Sequence, residues 1–222
     1  YKDGKAGFYD IGTTFSHTFN IKNKLNIYGY YSRDRFAFNE NEKYGYGNIN
    51  ASVHWRSILN DRLIANFSVG YDHYDYKNDE TENEFQAARL SFAINQYFAK
   101  ANFNLELDKH KLNFGGSTLL YNICTGTYEP LGEDSNVALN ELQKDKALES
   151  AVYLGDEWDI TPKLSVNAGI RYSMFNALGP RDYYVYQPGA LPSSTTVSDT
   201  VHVGGSRVLK TYHGPEFRLS GR

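Results

Sequence analysis

Cysteine occurs once, at Cys124, so the chain can form no internal disulfide and no multi-cysteine zinc site. Proline occurs only six times in 222 residues. No stretch approaches the roughly 20 apolar residues a membrane helix needs, and the mean hydropathy is -0.58. Neither sign of charge dominates: 23 basic and 26 acidic residues give a net charge of -3. That balance provides no basic stripe for nucleic acid and no acidic solubilising tail. Tyr1-Lys2-Asp3-Gly4 lacks the apolar segment of a signal peptide, so either an export signal has been removed or the chain starts inside a longer one. Aromatics, in contrast, abound, with 19 Tyr and 13 Phe. Tyrosine has an apolar ring and a polar tip, which suits a membrane–water interface. A tyrosine-rich soluble β-sandwich has the same composition.

Periodicity adds the architecture. From Leu164 to Met174, Leu164, Val166, Ala168, Ile170, Tyr172 and Met174 alternate with Ser165, Asn167, Gly169, Arg171 and Ser173. A strict period of two marks an extended strand with unlike faces. The pattern recurs about nine times, over Tyr9 to Phe19, Leu25 to Phe38, Asn48 to Leu59, Leu63 to Asp72, Phe85 to Leu107, Leu112 to Leu120, Leu148 to Ile160, Lys163 to Met174, and from Lys210 onward. In the fifth strand the apolar parity changes between Phe98 and Ala101, which predicts a β-bulge there. Tyr121 to Lys146 and Asn176 to Val208 read as long loops. Within the first, Asn136 to Leu148 is rich in helix-favouring residues, with Asp134 or Ser135 as N-cap, and predicts a short helix.

Connections after strands one, three, five and seven are short, and the others are longer. Short turns at one end and long loops at the other are the layout of an outer-membrane β-barrel, whose strands need only one apolar face. The strands exceed the roughly 9–11 residues required to cross a bilayer, so some stand above it. The expected fold is therefore all-β, an antiparallel up-and-down transmembrane barrel segment.

Little chemistry of other kinds is encoded. In Tyr71-Asp72-His73-Tyr74-Asp75-Tyr76, alternation places Asp72 and His73 on opposite faces, which argues against a shared metal ion. Asp156, Glu157 and Asp159 have no accompanying nucleophile and fit a polar barrel wall. No metal or other cofactor is expected, and no enzyme activity. Arg171 should face the lumen, near an inward acid such as Glu157 or Asp159, because facing lipid at mid-membrane would cost about 2–4 kcal/mol. Tyr183, Tyr184 and Tyr186, beside Arg181 and Asp182, are candidate ligand contacts on the second long loop, since rigid rings provide contact area at low entropic cost. Packing between loops competes with that role.

Several motifs carry a resemblance. Glu149-Ser-Ala-Val-Tyr-Leu-Gly-Asp-Glu-Trp158 followed by Asp-Ile-Thr-Pro-Lys-Leu-Ser-Val-Asn-Ala-Gly-Ile-Arg-Tyr172 resembles a hairpin of TonB-dependent receptors. His110-Lys-Leu-Asn-Phe-Gly115 looks like the strand before that hairpin. Tyr186-Gln-Pro-Gly189 and Gly214-Pro-Glu-Phe-Arg-Leu-Ser220 look like the family segments on its C-terminal side, with Phe217 where the family often has proline. The match covers Lys109 to Arg222, whereas Tyr1 to Asp108 agrees in pattern only. The tyrosine-rich loops look most like the Bacteroidetes branch, which includes SusC-like glycan importers. The resemblance implies a 22-stranded barrel in a Gram-negative outer membrane and an N-terminal plug domain. It also implies uptake of an iron chelate, cobalamin, glycan or peptide driven by the TonB complex, and in the SusC-like branch a surface lipoprotein partner. Neither plug nor TonB box is recognisable, and about nine strands cannot close such a barrel, so the chain is expected to be part of one. Two alternatives share the pattern: a small self-contained outer-membrane barrel acting as adhesin or structural protein, and a secreted soluble β-domain that binds carbohydrate.

Overall fold

A computed structural model describes residues 4–222; Tyr1 to Asp3, at the start of the segment unlike a signal peptide, lie outside the described residues. The strands are β1 (Lys5–Asn20), β2 (Asn23–Ala37), β3 (Glu42–Asn60), β4 (Leu63–Glu80), β5 (Ala88–Glu106), β6 (His110–Pro130), β7 (Asn140–Glu141), β8 (Asp145–Thr161), β9 (Leu164–Leu178), β10 (Arg181–Tyr186), β11 (Val197–Val203) and β12 (Val208–Gly221). Nine long strands form one antiparallel meander in the order β1-β2-β3-β4-β5-β6-β8-β9-β12, with β7 attached to β6 and β10–β11 a separate hairpin. Among the described residues, β1 and β12 are each paired along one edge only.

The segregation of connection lengths is as the sequence implies. At one end of the sheet, residues 21–22, 61–62, 107–109 and 162–163 are the whole of the turns; at the other, the connections run over 38–41, 81–87, 131–144 and 179–207. Asn20 and Asn60 tighten two of the short turns, each side-chain oxygen accepting the backbone N–H of the residue two positions on.

The pairing register sorts every side chain onto one of two faces. On one, Ile27, Val53, Val69 and Ala99 lie in a cross-strand row, as do Leu154, Ile170 and Phe217. Trp55, Phe67, Phe103 and Phe114 form an aromatic diagonal on this face, with ring centroids 5.8, 5.9 and 5.2 Å apart. Towards the long-loop end the apolar belt finishes in tyrosines, Tyr9 against Tyr31 and Tyr71 against Tyr97.

Among the described residues, no second layer covers this apolar face. Val152 is 63% exposed, and no large side chain is fully buried among the described residues. The exposed area is 15318 Å², against about 10,300 Å² for a compact protein of this mass. Among the described residues there is thus no hydrophobic sandwich interior, which argues against the soluble β-domain, since the broad apolar rows keep much of their area uncovered by the chain.

Three local expectations are corrected. The predicted helix over Asn136 to Leu148 is absent. Leu142 N–H donates to Gly126 O and the Thr125 hydroxyl to Gln143 O, so pairing with the edge of β6 wins over helix propensity. Pairing of β4 with β5 runs unbroken from Leu63↔Leu105 to Glu80↔Ala88, so no bulge lies at Phe98 to Ala101. The irregularity falls between β5 and β6, where Ser91↔Thr127 is followed by Ala93↔Cys124, one extra residue on β6. The apolar parity of β5 changes because its two halves face different surroundings: Ala101, Phe103 and Leu105 join the belt, whereas Leu90, Phe92 and Ile94 turn to the other face near the long loops. The loop Asn176 to Val208 contains the β10–β11 hairpin, with Gly205 at φ +66 in the turn beyond it.

Candidate functional site on the concave wall

The second face is concave and polar. Side chains of seven strands, from Arg56 on β3 to Arg218 on β12, border one open hollow of about 930 Å³. Along this face, hydrogen bonds between neighbouring strands form rungs. Asn113 donates to Asn104 at 2.6 Å, His54 Nδ1 meets the Ser68 hydroxyl at 2.8 Å, and Asn50 pairs with Asp72. Tyr153 on β8 donates to Asn102 on β5 at 2.8 Å, across the intervening β6. Gly115 makes that reach possible, since a Cβ there would fall 2.9 Å from the Tyr153 hydroxyl and press on Ala101 O.

Arg171, Glu157 and Asp159 all project from this wall, but they do not meet. Arg171 lies opposite Tyr153, with Glu149 and Glu157 each four residues away along β8. Glu157 lies directly across from Lys111, whose Nζ is 3.1 Å from it and 3.8 Å from Asp159. Arg171 instead approaches Glu149 at 3.8 Å and Glu216 at 3.7 Å, and donates through Nε to Ser173 at 3.0 Å. Arg171 thus approaches an acid of β8, but it is Glu149 and not Glu157 or Asp159, both of which lie within reach of Lys111. Arg56, Lys100 and Arg218 border the hollow without an ion-pair partner among the described residues.

Above the polar wall, towards the long loops, the same face becomes aromatic. Phe36 stacks on Tyr44 at 4.7 Å and Tyr76 on Phe92 at 4.9 Å, and Tyr74 lies 6.0 Å from Phe92. Tyr44 also donates its hydroxyl to Glu42. The carboxylate holds the proton there and pushes the Tyr44 pKa up to about 12. The rings come from β2, β3, β4 and β5, so no local motif announces them; the only signal is the inward parity of aromatics in the outer half of each strand.

Tyr183, Tyr184 and Tyr186 lie on β10, paired with Val201, Thr200 and Val197. Alternation puts Tyr184 and Tyr186 on one side of the hairpin and Tyr183 on the other, so the three do not converge. Their hairpin is tied to the β7–β8 connection. Gln143 Oε1 accepts Asp182 N–H at 2.7 Å, its amide donates back to Asp182 O at 3.2 Å, and Arg181 pairs with Asp145. As alternation predicts, Asp72 and His73 diverge, Asp72 to Asn50 and His73 to Asn95 at 2.9 Å.

Comparison with known proteins agrees with this two-faced wall. The TonB dependent receptor-like β-barrel family model matches residues 2–201. No curated protein matches the sequence. Among solved structures, the open form of Fiu, the ferric-catecholate import receptor of E. coli K12, aligns with TM-score 0.66 at 10% identity, over 98% of this chain and 44% of Fiu. The copper transporter OprC aligns with TM-score 0.69 at 9% identity, over 99% of this chain and 34% of OprC. BauA, the ferric preacinetobactin receptor of Acinetobacter baumannii, aligns with TM-score 0.59 at 14% identity, over 97% of this chain and 37% of BauA. The chain therefore spans less than half the length of these receptors, and at such identities the likeness concerns the fold. With the family model matching most of its length, the chain belongs to the TonB-dependent receptor β-barrel family, whose members reside in the Gram-negative outer membrane.

Proposed function

We propose that this chain is the wall of an outer-membrane receptor that takes up a scarce nutrient by TonB-coupled transport, with no covalent chemistry of its own. The observation that carries the reading is the opposition of faces: an apolar convex belt with none of the described residues layered over it, and a concave wall lined by polar and charged rungs. Lipid satisfies the first and a hydrated, plug-filled lumen the second. The one-sided edges of β1 and β12 pair with further strands of the same barrel, as in a 22-stranded receptor. Arg56, Lys100 and Arg218 pair with carboxylates of the plug domain, and Arg171, between Glu149 and Glu216, braces three neighbouring strands of the wall.

A metal chelate is the favoured cargo. Fiu, BauA and OprC are described as handling ferric catecholate, ferric preacinetobactin and copper, and the inward aromatic wall of Phe36, Tyr44, Tyr76 and Phe92 provides flat apolar faces at the long-loop end. Tyr184 and Tyr186 add a second such surface from the hairpin, with Tyr183 on its far side. The glycan-importing Bacteroidetes branch, and the surface lipoprotein that accompanies it, rest on tyrosine-rich loops alone.

The test is accumulation of radiolabelled ferric chelate by cells producing the receptor, with and without collapse of the inner-membrane proton gradient. Gradient-dependent uptake is expected, with weaker chelate binding for Tyr76→Ala. Uptake indifferent to the gradient would overturn energy coupling, and binding of glycan in place of chelate would overturn the cargo.

A further inference from the structure

Above the tyrosines that end the apolar belt, the convex face changes character within two rows. The register places Tyr9, Arg33, Gly47 and Asp75 in one row, then Gly7, Arg35, Gly45 and Lys77, then Lys5, Ala37, Lys43 and Asp79 with Arg89. Arg33 reaches over Gly47 to Asp75 at 2.5 Å, and Arg89 grips Asp79 through Nε at 2.6 Å and Nη2 at 2.8 Å. Both acids are thereby neutralised. Lys5, Arg35, Lys43 and Lys77 remain, exposed and without a carboxylate partner among the described residues. They surround a hollow of about 570 Å³. Its floor includes Gly7, where an added side chain would meet nothing, and Gly45, where one would approach only the backbone oxygen of Asp34. The four free cations thus stand around a floor kept low by glycine.

We infer that this hollow is a cradle for the phosphates of a lipid headgroup in the surrounding leaflet. The convex side of the proposed membrane orientation carries both halves of the site, so the inference rests on that orientation. Acyl chains lie on the belt below, along Ile11, Tyr31 and Ile49, while the headgroup rises past Tyr9 to the cations. That continuity favours a lipid over a free anion, because one molecule then buries apolar surface and neutralises charge together. Four mutually repelling cations on one outward patch need a polyanion, and a singly charged headgroup leaves most of them uncompensated.

The test uses the full chain in zwitterionic detergent, with native mass spectrometry following diphosphoryl lipid A, its fully dephosphorylated form and inorganic phosphate. The diphosphoryl lipid should be retained at least about tenfold more tightly than the dephosphorylated one. Replacing Lys5, Arg35, Lys43 and Lys77 together by Gln should abolish that preference, whereas the same change at Lys22, Lys24, Lys109 and Lys163, near the short turns, should leave it. Equal retention of both lipids overturns the cradle but leaves the membrane orientation standing, and retention of neither overturns both. Inorganic phosphate binding as tightly as the diphosphoryl lipid overturns a lipid as the occupant. Should the fourfold variant not fold, the salt dependence of the unsubstituted chain decides: a preference that added salt does not weaken overturns the site.

Discussion

Gly115 lets two strands that are not neighbours share a side-chain bond, so its replacement separates packing from hydrogen bonding. Gly115→Ala forces a methyl against Ala101 O and the Tyr153 hydroxyl, and should cost about 1–3 kcal/mol through strain. Tyr153→Phe loses only the bond to Asn102, worth about 0.5–1.5 kcal/mol. Urea titration of chain folded into vesicles should rank the glycine variant as the weaker. Tyr44 makes a different test, in pH. Its hydrogen bond to Glu42 raises the folded pKa to about 12 from an ordinary 10.0. The protonated phenol is therefore the form the fold favours. Its contribution is whole below pH 10, fades as pH rises, and is lost once pH passes the folded value. Absorbance titration should show late-ionising tyrosines, with the component near 12 absent in Tyr44→Phe and returned towards the ordinary range in Glu42→Gln.

At the scale of strands, the two faces make opposite predictions for one kind of substitution. Val152 lies in the belt between Gly116 and Tyr172, and Val152→Arg should destabilise the membrane-inserted chain by about 2–4 kcal/mol. Asn167 borders the concave hollow, and Asn167→Arg should shift stability by no more than about 0.5 kcal/mol. Equal costs in a vesicle-based unfolding titration would contradict the assignment of faces. The long strands were legible because a period of two persists along them, with β5 changing its apolar phase midway. The helix expected over Asn136 to Leu148 does not form, because propensity there yields to bonds with Gly126 and Thr125 that lie more than ten residues away in sequence. The β10–β11 hairpin was hidden for a related reason: its residues are tyrosines, valines and threonines suited to strands, but its turn segment mixes Gly, Pro and Ser as any loop does.

For the whole molecule, the two tryptophans are reporters already in place. Trp55 and Trp158 both sit on the convex face near the short-turn end, Trp55 beside Phe67 and Trp158 stacked on His110 at 5.5 Å. In vesicles containing brominated lipid their fluorescence should be strongly quenched, while aqueous iodide should have little effect. The reverse result would place the apolar face in water or against protein. The site shows the same division as the fold. Arg171, Glu157 and Asp159 could be assigned to one wall from alternation alone. Their partners could not, because Lys111, Glu149 and Glu216 are brought near by register between strands up to several dozen residues apart.

Side-chain parity is a local property of an extended chain, so the sequence by itself determined that there are nine long strands, that each has an apolar and a polar side, and that turn lengths segregate by end. Which strand positions face one another depends on register, and register is set by turns and bulges acting across the sheet. Only the tertiary structure therefore decided that Phe36, Tyr44, Tyr76 and Phe92 form one inward wall, that Arg171 turns to Glu149 and Glu216, and that four cations from four strands gather above the tyrosines. It also decided that nothing among the described residues covers the apolar face, and that exposure is the physical reason for placing the face against lipid.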